Sequence, residues 1–378
     1  MKRIHALVMG SMLWCSPAPA QPQLVPLGDL PGGPFLSVGS ALSGNGLVAV
    51  GHSQGSIGLG TSEAFRWTAE TGMTGLGRPM NGSSSAANIS SNGQYIVGDN
   101  ITADGIAGIV WAPDGRILTI PDIPGGRDVT KTADVSNTGV VVGSSQYAEG
   151  TLGPLSEAFR WTEEGGLQRL GFLNEGDINS TAFAISADGS VIAGRGTSGN
   201  WIWTEENGMQ ATVGNEFFAA SLSEDGQSIV GIVTERIDGR FVSSPAMWSE
   251  ATGQVKLDTS DLPNEQSGLV PRDASFDAEV IFGMLFAQSY SEPYVWFDHG
   301  QNGMLFNEYL LGLGLDVEEL GYHMIEVSGI SDDGTRFLVE TFNPNNDREA
   351  VLIIVPTPAS LALPGLTVLA LGRRRRGT

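Results

Sequence analysis

Six tryptophans recur along this chain at intervals of 42 to 50 residues. They are Trp67, Trp111, Trp161, Trp203, Trp248 and Trp296. Two copies of the surrounding segment are identical, because Glu-Ala-Phe-Arg-Trp-Thr occurs at residues 63–68 and again at residues 157–162. Self-similarity at a period of about 20–50 residues is typical of repeat architectures. The chain is therefore expected to fold as a series of similar units.

A second recurring element lies upstream of each tryptophan. Its clearest copy, residues 184–194, reads Ala-Ile-Ser-Ala-Asp-Gly-Ser-Val-Ile-Ala-Gly. Related copies begin at residues 42, 89, 135 and 222, a degraded one at 276 and a last one at 330. The number of units is therefore predicted to be seven.

Each unit contains signals for four short strands, here named A to D. Asp-Gly or Asn-Gly between two β-rich runs indicates a hairpin with a two-residue turn, because Gly tolerates positive φ. Strands A and B form this hairpin, the Phe-Arg-Trp segment is strand C, and a run such as residues 73–77 after a polar turn is strand D. Four antiparallel strands in roughly 45 residues make one blade of a β-propeller.

The two ends of the repeat region complement each other. The seventh unit ends after strand C at residues 349–354, whereas residues 24–30 precede the first strand A and resemble an isolated strand D. We expect these ends to pair and close an all-β, seven-bladed propeller without an open edge. A parallel β-helix is the nearest alternative, but its coils are typically shorter. In a propeller, the recurring tryptophans should pack between blades.

One segment departs from the repeat. Between residues 305 and 320, apolar and acidic residues alternate with the period of a helix. This pattern predicts a short amphipathic helix packed on one rim of the propeller.

The N-terminus has the features of a secretory signal peptide. Lys2 and Arg3 precede an apolar run, and Ala18 and Ala20 provide the small residues of a cleavage site. We expect residues 1–20 to be removed and residues 21–355 to form the propeller domain. Cys15 is the only cysteine, so the mature protein is predicted to contain no disulfide.

Residues 356–378 are predicted to be a sorting and anchoring tail. An apolar stretch at residues 361–372 is shorter than the roughly 20 residues that span a bilayer comfortably, although tilt or thinning can compensate. The motif begins with Pro356, Thr357 and Pro358, and the basic cluster is Arg373, Arg374, Arg375 and Arg376. This arrangement resembles the PEP-CTERM sorting signal of Gram-negative bacteria, with Thr357 in place of the usual Glu. The resemblance implies processing by an exosortase, transient membrane anchoring, and delivery to the cell surface or extracellular matrix.

The repeats are similar to HAF-type extracellular repeats, a family of exported, propeller-like bacterial proteins. The similarity covers residues 28–354 and is carried by the Ile-Ser-x-Asp-Gly, Val-Val-Gly and Ala-Phe-Arg-Trp-Thr patterns. It implies location and architecture but supplies no active site.

Charge limits the range of partners. Without the two basic residues near the N-terminus and the four tail arginines, 14 basic residues stand against 42 acidic ones, a net charge of −28. Nucleic acid is excluded as a partner, because phosphate binding requires a concentrated basic surface. An acidic exported surface favours solubility and could recruit divalent cations.

No catalytic or cofactor-binding constellation is visible in the sequence. Residues 51–55 fit the Gly-x-Ser-x-Gly pattern of a hydrolase nucleophile elbow around Ser53, but a Gly-rich loop follows where that motif requires a helix. His52, His299 and His323 are not at metal-ligand spacing, so no metal site and no cofactor are predicted.

The acidic motifs also have a structural interpretation. The Asp-Gly pairs lack the alternating ligands of an EF-hand and are interpreted as hairpin turns. The carboxylate pairs at residues 163–164 and 205–206 occupy equivalent positions between strands C and D, which indicates solvated turns rather than an acid–base pair.

Two classes of function follow. The first is a non-enzymatic surface or matrix protein whose propeller face binds polysaccharide, another surface protein or a neighbouring copy of the chain. Long variable loops, such as residues 53–62 and 146–156, favour this class. The alternative is a propeller-type glycan lyase or glycosidase whose active site is assembled from different blades around the central channel.

Overall fold

The computed structural model describes residues 21–55, 61–80, 82–126, 128–150, 153–212, 217–260, 262, 268–286 and 291–356. Seven four-stranded antiparallel sheets form the blades of a ring, which confirms the predicted seven-bladed β-propeller. In each blade the strands lie in the spatial order A, B, C, D. Strand A lines the central channel, and strand D is outermost.

The first strand of the chain, β1 (Gln23–Pro26), belongs to the last blade. Blades 1 to 3 consist of β2 (Gly32–Leu42), β3 (Ala49–Gly55), β4 (Ser62–Thr68), β5 (Gly72–Gly77); β6 (Ser83–Ile89), β7 (Ile96–Ile101), β8 (Ile106–Trp111), β9 (Ile117–Thr119); and β10 (Thr130–Val135), β11 (Val141–Gly150), β12 (Gly153–Thr162), β13 (Gly166–Gly171). Blades 4 to 6 consist of β14 (Ser180–Ile185), β15 (Ile192–Gly196), β16 (Gly199–Thr204), β17 (Gly208–Ala211); β18 (Phe217–Leu222), β19 (Ser228–Ile237), β20 (Arg240–Ser249), β21 (Gly253–Lys256); and β22 (Gly268–Ala274), β23 (Ile281–Phe286), β24 (Ser291–Phe297), β25 (Asn302–Leu305). Helix α1 (Phe306–Gly312) follows, and blade 7 consists of β26 (His323–Ile330), β27 (Arg336–Phe342) and β28 (Arg348–Ile354), with β1 as its strand D.

The two chain ends close the ring as the sequence predicted. Strand β1 pairs antiparallel with β28, with Gln23 opposite Ile354 and Pro26 opposite Val351. The strand ends at Pro26, but the contact continues because the Leu27 N–H donates to the Ala350 carbonyl at 3.0 Å. The seventh blade thus has four strands, and β1 covers the edge of β28 that would otherwise be unpaired.

The hydrophobic core is divided among the interfaces between blades. Seven clusters of buried side chains each join two neighbouring blades, including the cluster between blades 7 and 1. Repeat tryptophans lie in these clusters, as predicted. Two of them also donate their indole N–H to the outer strand or the following segment of the preceding blade, Trp111 to the Leu76 carbonyl at 3.0 Å and Trp296 to the Asp258 carbonyl at 2.7 Å. Five of the six are buried, whereas Trp248 is partly exposed.

The turns between strands A and B are longer than the two residues expected. In blade 1 the Ser43 N–H donates to the Val48 carbonyl at 2.9 Å, which leaves a four-residue loop, and blade 3 has a three-residue loop. The reason is a buried serine at the first position of every turn. Its hydroxyl accepts the backbone N–H at the start of strand B, for example Val191 to Ser186 at 3.0 Å. The seven serines are Ser43, Ser90, Ser136, Ser186, Ser223, Ser275 and Ser331.

Replacing one of these serines should therefore destabilise the protein. Ser186 is 1% exposed, and the Ser186→Ala variant leaves the Val191 N–H buried without its acceptor. We expect the free energy of unfolding to fall by about 1–3 kcal/mol in urea titrations. Ser190→Ala, at an exposed position of the same turn, is the matched control and should have little effect. Equal losses from both variants would contradict this role of the buried hydroxyl.

The predicted helix is present but shorter than residues 305–320. Helix α1 ends at Gly312, and Gly314 has a positive φ of +90°, which ends the helical path. Phe306, Tyr309 and Leu310 of α1 are buried between blades 6 and 7. The helix thus fills an interface between blades, a more central position than the predicted rim.

Both predicted targeting segments fall outside the described residues. The signal peptide, with Ala18 and Ala20, and the tail from Thr357 to the four arginines are among them, and Pro356 is the last described residue. Within the described ranges, no helix is long and apolar enough to cross a membrane.

Candidate functional site

The two faces of the propeller differ in their connections. We call the face that carries the A–B and C–D turns the turn face, and the face that carries the B–C loops and the connections between blades the loop face. On the turn face, the A–B turns of all seven blades are joined by hydrogen bonds that form a closed ring. Its links, from donor to acceptor, are Gly44 N to Ser91 O, Asn92 N to Asn137 Oδ1, Asn137 N to Ala187 O, Ala187 N to Glu224 O, Asp225 N to Phe276 O, Phe276 N to Asp332 O, and Asp332 N to Gly44 O.

The ring narrows the channel at the turn face. The Ser91 hydroxyl donates to Asp332 Oδ2 at 2.9 Å, a contact between blades 2 and 7 across the intervening turn of blade 1. Gly44 lies beneath this contact, because a Cβ at Gly44 would come within 2.2 Å of Asp332 Oδ2 and of Ser91 Oγ. Glycine at this position therefore allows the ring to close.

A cavity of about 460 Å³ occupies the channel inside this ring. Every strand A carries a β-bulge just before its turn, so that two residues of strand A lie opposite one residue of strand B. The residue after the bulge lines the cavity in all seven blades. In blades 3 and 6 this residue is Asp134 and Asp273, and Glu224 and Asp332 of the ring complete an acidic cluster.

The surroundings of these carboxyls disfavour their charged forms. Each is partly exposed to the cavity yet enclosed by protein, and this burial raises the pKa of Asp134 to about 7 and that of Asp273 to about 6. Hydrogen bonds oppose the shift, because Asp134 accepts the N–H of Ile185 in the next blade at 2.9 Å and Asp273 accepts the Ser221 hydroxyl at 2.9 Å. Burial raises the pKa of Glu224 well above its usual value, and the neighbouring carboxylates raise it further.

Ion pairs line the part of the cavity nearer the loop face. The Arg272 guanidinium lies 3.5 Å from the Glu326 carboxylate, and Arg348 pairs with the buried Glu340. The cavity therefore combines carboxyls whose pKa is raised by burial near the ring with charge pairs further in. Such a lining can hydrogen-bond a hydroxyl-rich ligand, and a carboxyl with a pKa near 7 can donate a proton.

A second concave surface lies on the turn face over blades 4 to 6. It is an open groove of about 1150 Å³ whose lining is mostly apolar and includes Trp248, Met247 and Ile202. Polar side chains from the A–B and C–D turns form its rim, among them Asp277 and Gln301. Sequence reasoning missed the groove, and it named the central channel without identifying the residues that line it. An acidic residue two places before the repeated serine, as at Asp134, was a visible signal for those residues.

Ser53 has a structural role, as the sequence argument favoured. It is fully buried in β3, accepts the Leu30 N–H at 3.0 Å and donates to the Leu36 carbonyl at 2.8 Å. His52 lies beside it in the chain, but its ring contacts Ser85 Oγ at 3.3 Å, and burial lowers its pKa. No helix follows β3 in the described part of this blade.

The other candidate residues are dispersed. His299 lies in the C–D turn of blade 6 and His323 begins β26. Within the residues that the structure describes, no group of three or more His, Cys, Asp or Glu side chains is placed to hold a metal ion.

The acidic turn motifs have structural partners. Asp188 accepts the hydroxyl of Ser186 at 2.7 Å and the N–H of Ser190 at 2.9 Å, so its Asp-Gly pair stabilises the hairpin turn as expected. Glu163 forms an exposed ion pair with Arg116 of the neighbouring blade, which lowers the pKa of Glu163. Glu205 and Glu206 are exposed turn residues.

Comparison with known proteins supports the architecture alone. No family model matches the chain, and no curated protein matches it. The fold is similar to an oligogalacturonate lyase in complex with manganese, with a TM-score of 0.54 and 10% identity over 84% of this chain and 88% of the lyase. It is also similar to the β-propeller domain of the Trilobed protease from Pyrococcus furiosus, with a TM-score of 0.51 and 10% identity over 84% of this chain and 94% of that domain.

That protease domain is described as having an open velcro topology, whereas the present ring is closed by β1 and β28. TolB from Acinetobacter baumannii gives a TM-score of 0.43 at 13% identity, over 70% of this chain, and the chain spans 64% of that TolB. At such identities, the likeness to the lyase and the protease domain shows one property of this chain, its β-propeller fold.

Proposed function

We propose that this chain is an exported cell-surface or extracellular-matrix protein whose propeller binds other molecules without transforming them. The observation that carries the proposal is the open groove on the turn face, which is larger than the channel cavity and long enough to cross parts of three blades. Clefts with an apolar floor and a few polar groups at the rim are typical of binding sites. The signal peptide and the PEP-CTERM-like tail support export, processing by an exosortase-like enzyme, and the surface location.

Polysaccharides and other surface proteins are the proposed partners. Sugar rings have apolar faces and hydroxyl edges, and both the groove and the channel offer apolar surface beside hydrogen-bonding groups. The strongly acidic composition argues against binding to anionic polymers such as nucleic acid.

A glycan-active enzyme, a lyase or glycosidase, is the second candidate. It is favoured by the channel carboxyls, because Asp134 and Asp273, whose pKa values are raised to about 7 and about 6, could exchange protons at neutral pH. Their separation from the groove means that the two functions predict effects from different residues.

One assay distinguishes the two. Residues 21–355, which contain every described strand, are incubated with a panel of bacterial and algal polysaccharides, and both retention on the polymer and release of shortened sugars are measured. Retention without release is the expected result. Release that is abolished in Asp134→Asn and Asp273→Asn would establish the enzyme instead, and failure to retain any polysaccharide would leave a protein partner as the ligand.

A further inference from the structure

Trp248 is partly exposed, and the residue of the neighbouring blade that stands where other blades cover the tryptophan differs from its equivalents. In blades 1 to 6, the third residue after the partner of the strand C tryptophan lies where the next blade packs, and in blade 7 Ile353 stands in place of the tryptophan. This residue is apolar in the other six blades, namely Leu76, Ile120, Leu170, Leu257, Phe306 and Leu27. In blade 4 it is Thr212, and the apolar cluster that contains Trp248 lacks this member. The indole is therefore left partly uncovered at the edge of the groove.

The rim of the groove carries carboxylate oxygens that are not used within the turns. In Asp225, Asp277 and Asp298, one carboxylate oxygen accepts a hydrogen bond from the residue's own turn: Asp225 Oδ1 accepts from Ser223, Asp277 Oδ1 from Glu279, and Asp298 Oδ2 from Asn302. The second oxygen of each has no protein hydrogen bond among the described residues. These three carboxylates are thus oriented by the turns and retain an acceptor for a ligand.

The charge of the groove is of one sign. Four acidic residues, Asp225, Glu250, Asp277 and Asp298, line it, and its described lining contains no lysine or arginine. His299 is its single imidazole. The groove therefore repels uronate or sulfate groups and attracts ammonium groups.

We infer that this groove binds a polysaccharide with free amino groups, such as a glucosamine polymer, with one sugar ring against Trp248. The apolar floor suits the carbon–hydrogen face of the ring, and the rim amides and carboxylates suit its hydroxyl and ammonium groups. A cationic peptide would match the charge, but a sugar ring also matches the partly exposed indole beside the neutral hydrogen-bonding groups of the rim. This inference rests on the proposed binding function and specifies its ligand class.

The test measures binding of short glucosamine oligomers to residues 21–355 by calorimetry, with N-acetylglucosamine oligomers, oligogalacturonate and oligolysine for comparison. We expect glucosamine oligomers to bind most tightly and their affinity to fall as salt rises from roughly 0.05 to 0.5 M. Trp248→Ala should weaken binding by about tenfold. Asp277→Asn, at an exposed position, should weaken binding by about threefold, because the variant loses one carboxylate charge that attracts the ammonium groups of the ligand.

Two further variants test whether a loss of binding comes from the groove itself and not from misfolding or from the removal of any exposed aromatic ring. Thr212→Leu restores the residue type of the other blades, so it should cover Trp248 and weaken binding in a protein at least as stable as the parent. Phe241→Ala removes an aromatic ring that is 79% exposed at the other end of β20, and it should leave binding unchanged.

The outcomes separate this inference from the proposed function. Retention of another polysaccharide that is insensitive to Trp248→Ala, Thr212→Leu and Asp277→Asn would overturn the inference and leave the proposed function intact. Equal or tighter binding of oligogalacturonate or oligolysine would also overturn it, in favour of another ligand class. Absence of binding to any polysaccharide would refute the inference and leave a protein partner as the ligand of the proposed function.

Discussion

Deletion of residues 21–27 is expected to destabilise the whole propeller, although it removes only seven residues. These residues include strand β1, which is strand D of the last blade. The deletion leaves β28 without its outer neighbour and removes Leu27, a 4% exposed member of the cluster between blades 7 and 1. Loss of one buried leucine commonly costs about 2–5 kcal/mol, so the loss of strand and leucine together should lower Tm by roughly 10 °C. Thermal unfolding followed by circular dichroism measures this directly.

A permuted chain provides the control. In it, residues 21–30 are moved behind residue 355 through a short turn, so that blade 7 becomes continuous in sequence and β28 regains the same partner. We expect the permuted chain to recover most of the lost stability, because the ring closes through the same contacts. An unchanged Tm after the deletion, or no recovery on permutation, would refute the closure by β1 as a main source of stability.

Stability is expected to fall as pH rises from about 4 to about 7. The usual pKa of an aspartic acid is 3.8, and in the folded protein the pKa is about 7 for Asp134 and about 6 for Asp273. The folded state therefore binds protons more tightly than the unfolded chain between these pKa values. The contribution of this proton binding to stability is complete below about pH 4 and is lost as the pH rises past the pKa values of the folded state. Because the two groups interact and partly face the cavity, we expect a total loss of about 2–4 kcal/mol.

Glu224 allows this effect to be isolated. Burial and the carboxylates of Asp134, Asp273 and Asp332 raise its pKa, with no opposing hydrogen bond, so Glu224→Gln removes a charge that the fold disfavours. Urea unfolding should show the variant more stable than the parent by about 1–2 kcal/mol near pH 8 and equal to it near pH 4. Glu205→Gln, at an exposed turn, is the control and should be neutral at both values. A stabilisation that is the same at both pH values would rule out the channel carboxyls as its cause.

Much of the fold could be predicted because it is specified within each unit. The buried serine of each A–B turn, the glycine that follows and the tryptophan of strand C are local signals repeated along the chain. The missing strand D at the end and the additional one at residues 24–30 then implied how the ring closes, and the pairing of β1 with β28 confirmed it. The predicted length of the A–B turns was wrong because the serine hydroxyl accepts a hydrogen bond from the backbone near the start of strand B and stabilises a longer loop. The rule for two-residue hairpins does not include this bond.

The candidate sites could not be predicted, because each one collects side chains from units far apart in sequence. Asp134 and Asp273 are 139 residues apart, and although each lies two places before a repeated serine, this local signal does not show that they share one cavity. Trp248 has the same local sequence role as the five buried tryptophans. It is partly exposed, and the neighbouring blade has Thr212 where other blades have an apolar residue, a difference that no motif around Trp248 contains.

The sequence by itself determined the number of blades, the strands within each blade and the pairing of the chain ends, because these depend on short-range patterns of apolar, turn and β-branched residues that recur at a fixed period. The tertiary structure alone decided where charge accumulates and where apolar surface remains uncovered. Those properties arise when the curvature of the ring brings seven A–B turns into one hydrogen-bonded circle and places the blades side by side. Burial then raises the pKa of the channel carboxyls, and the packing of blades 4 and 5 leaves Trp248 partly exposed at the groove.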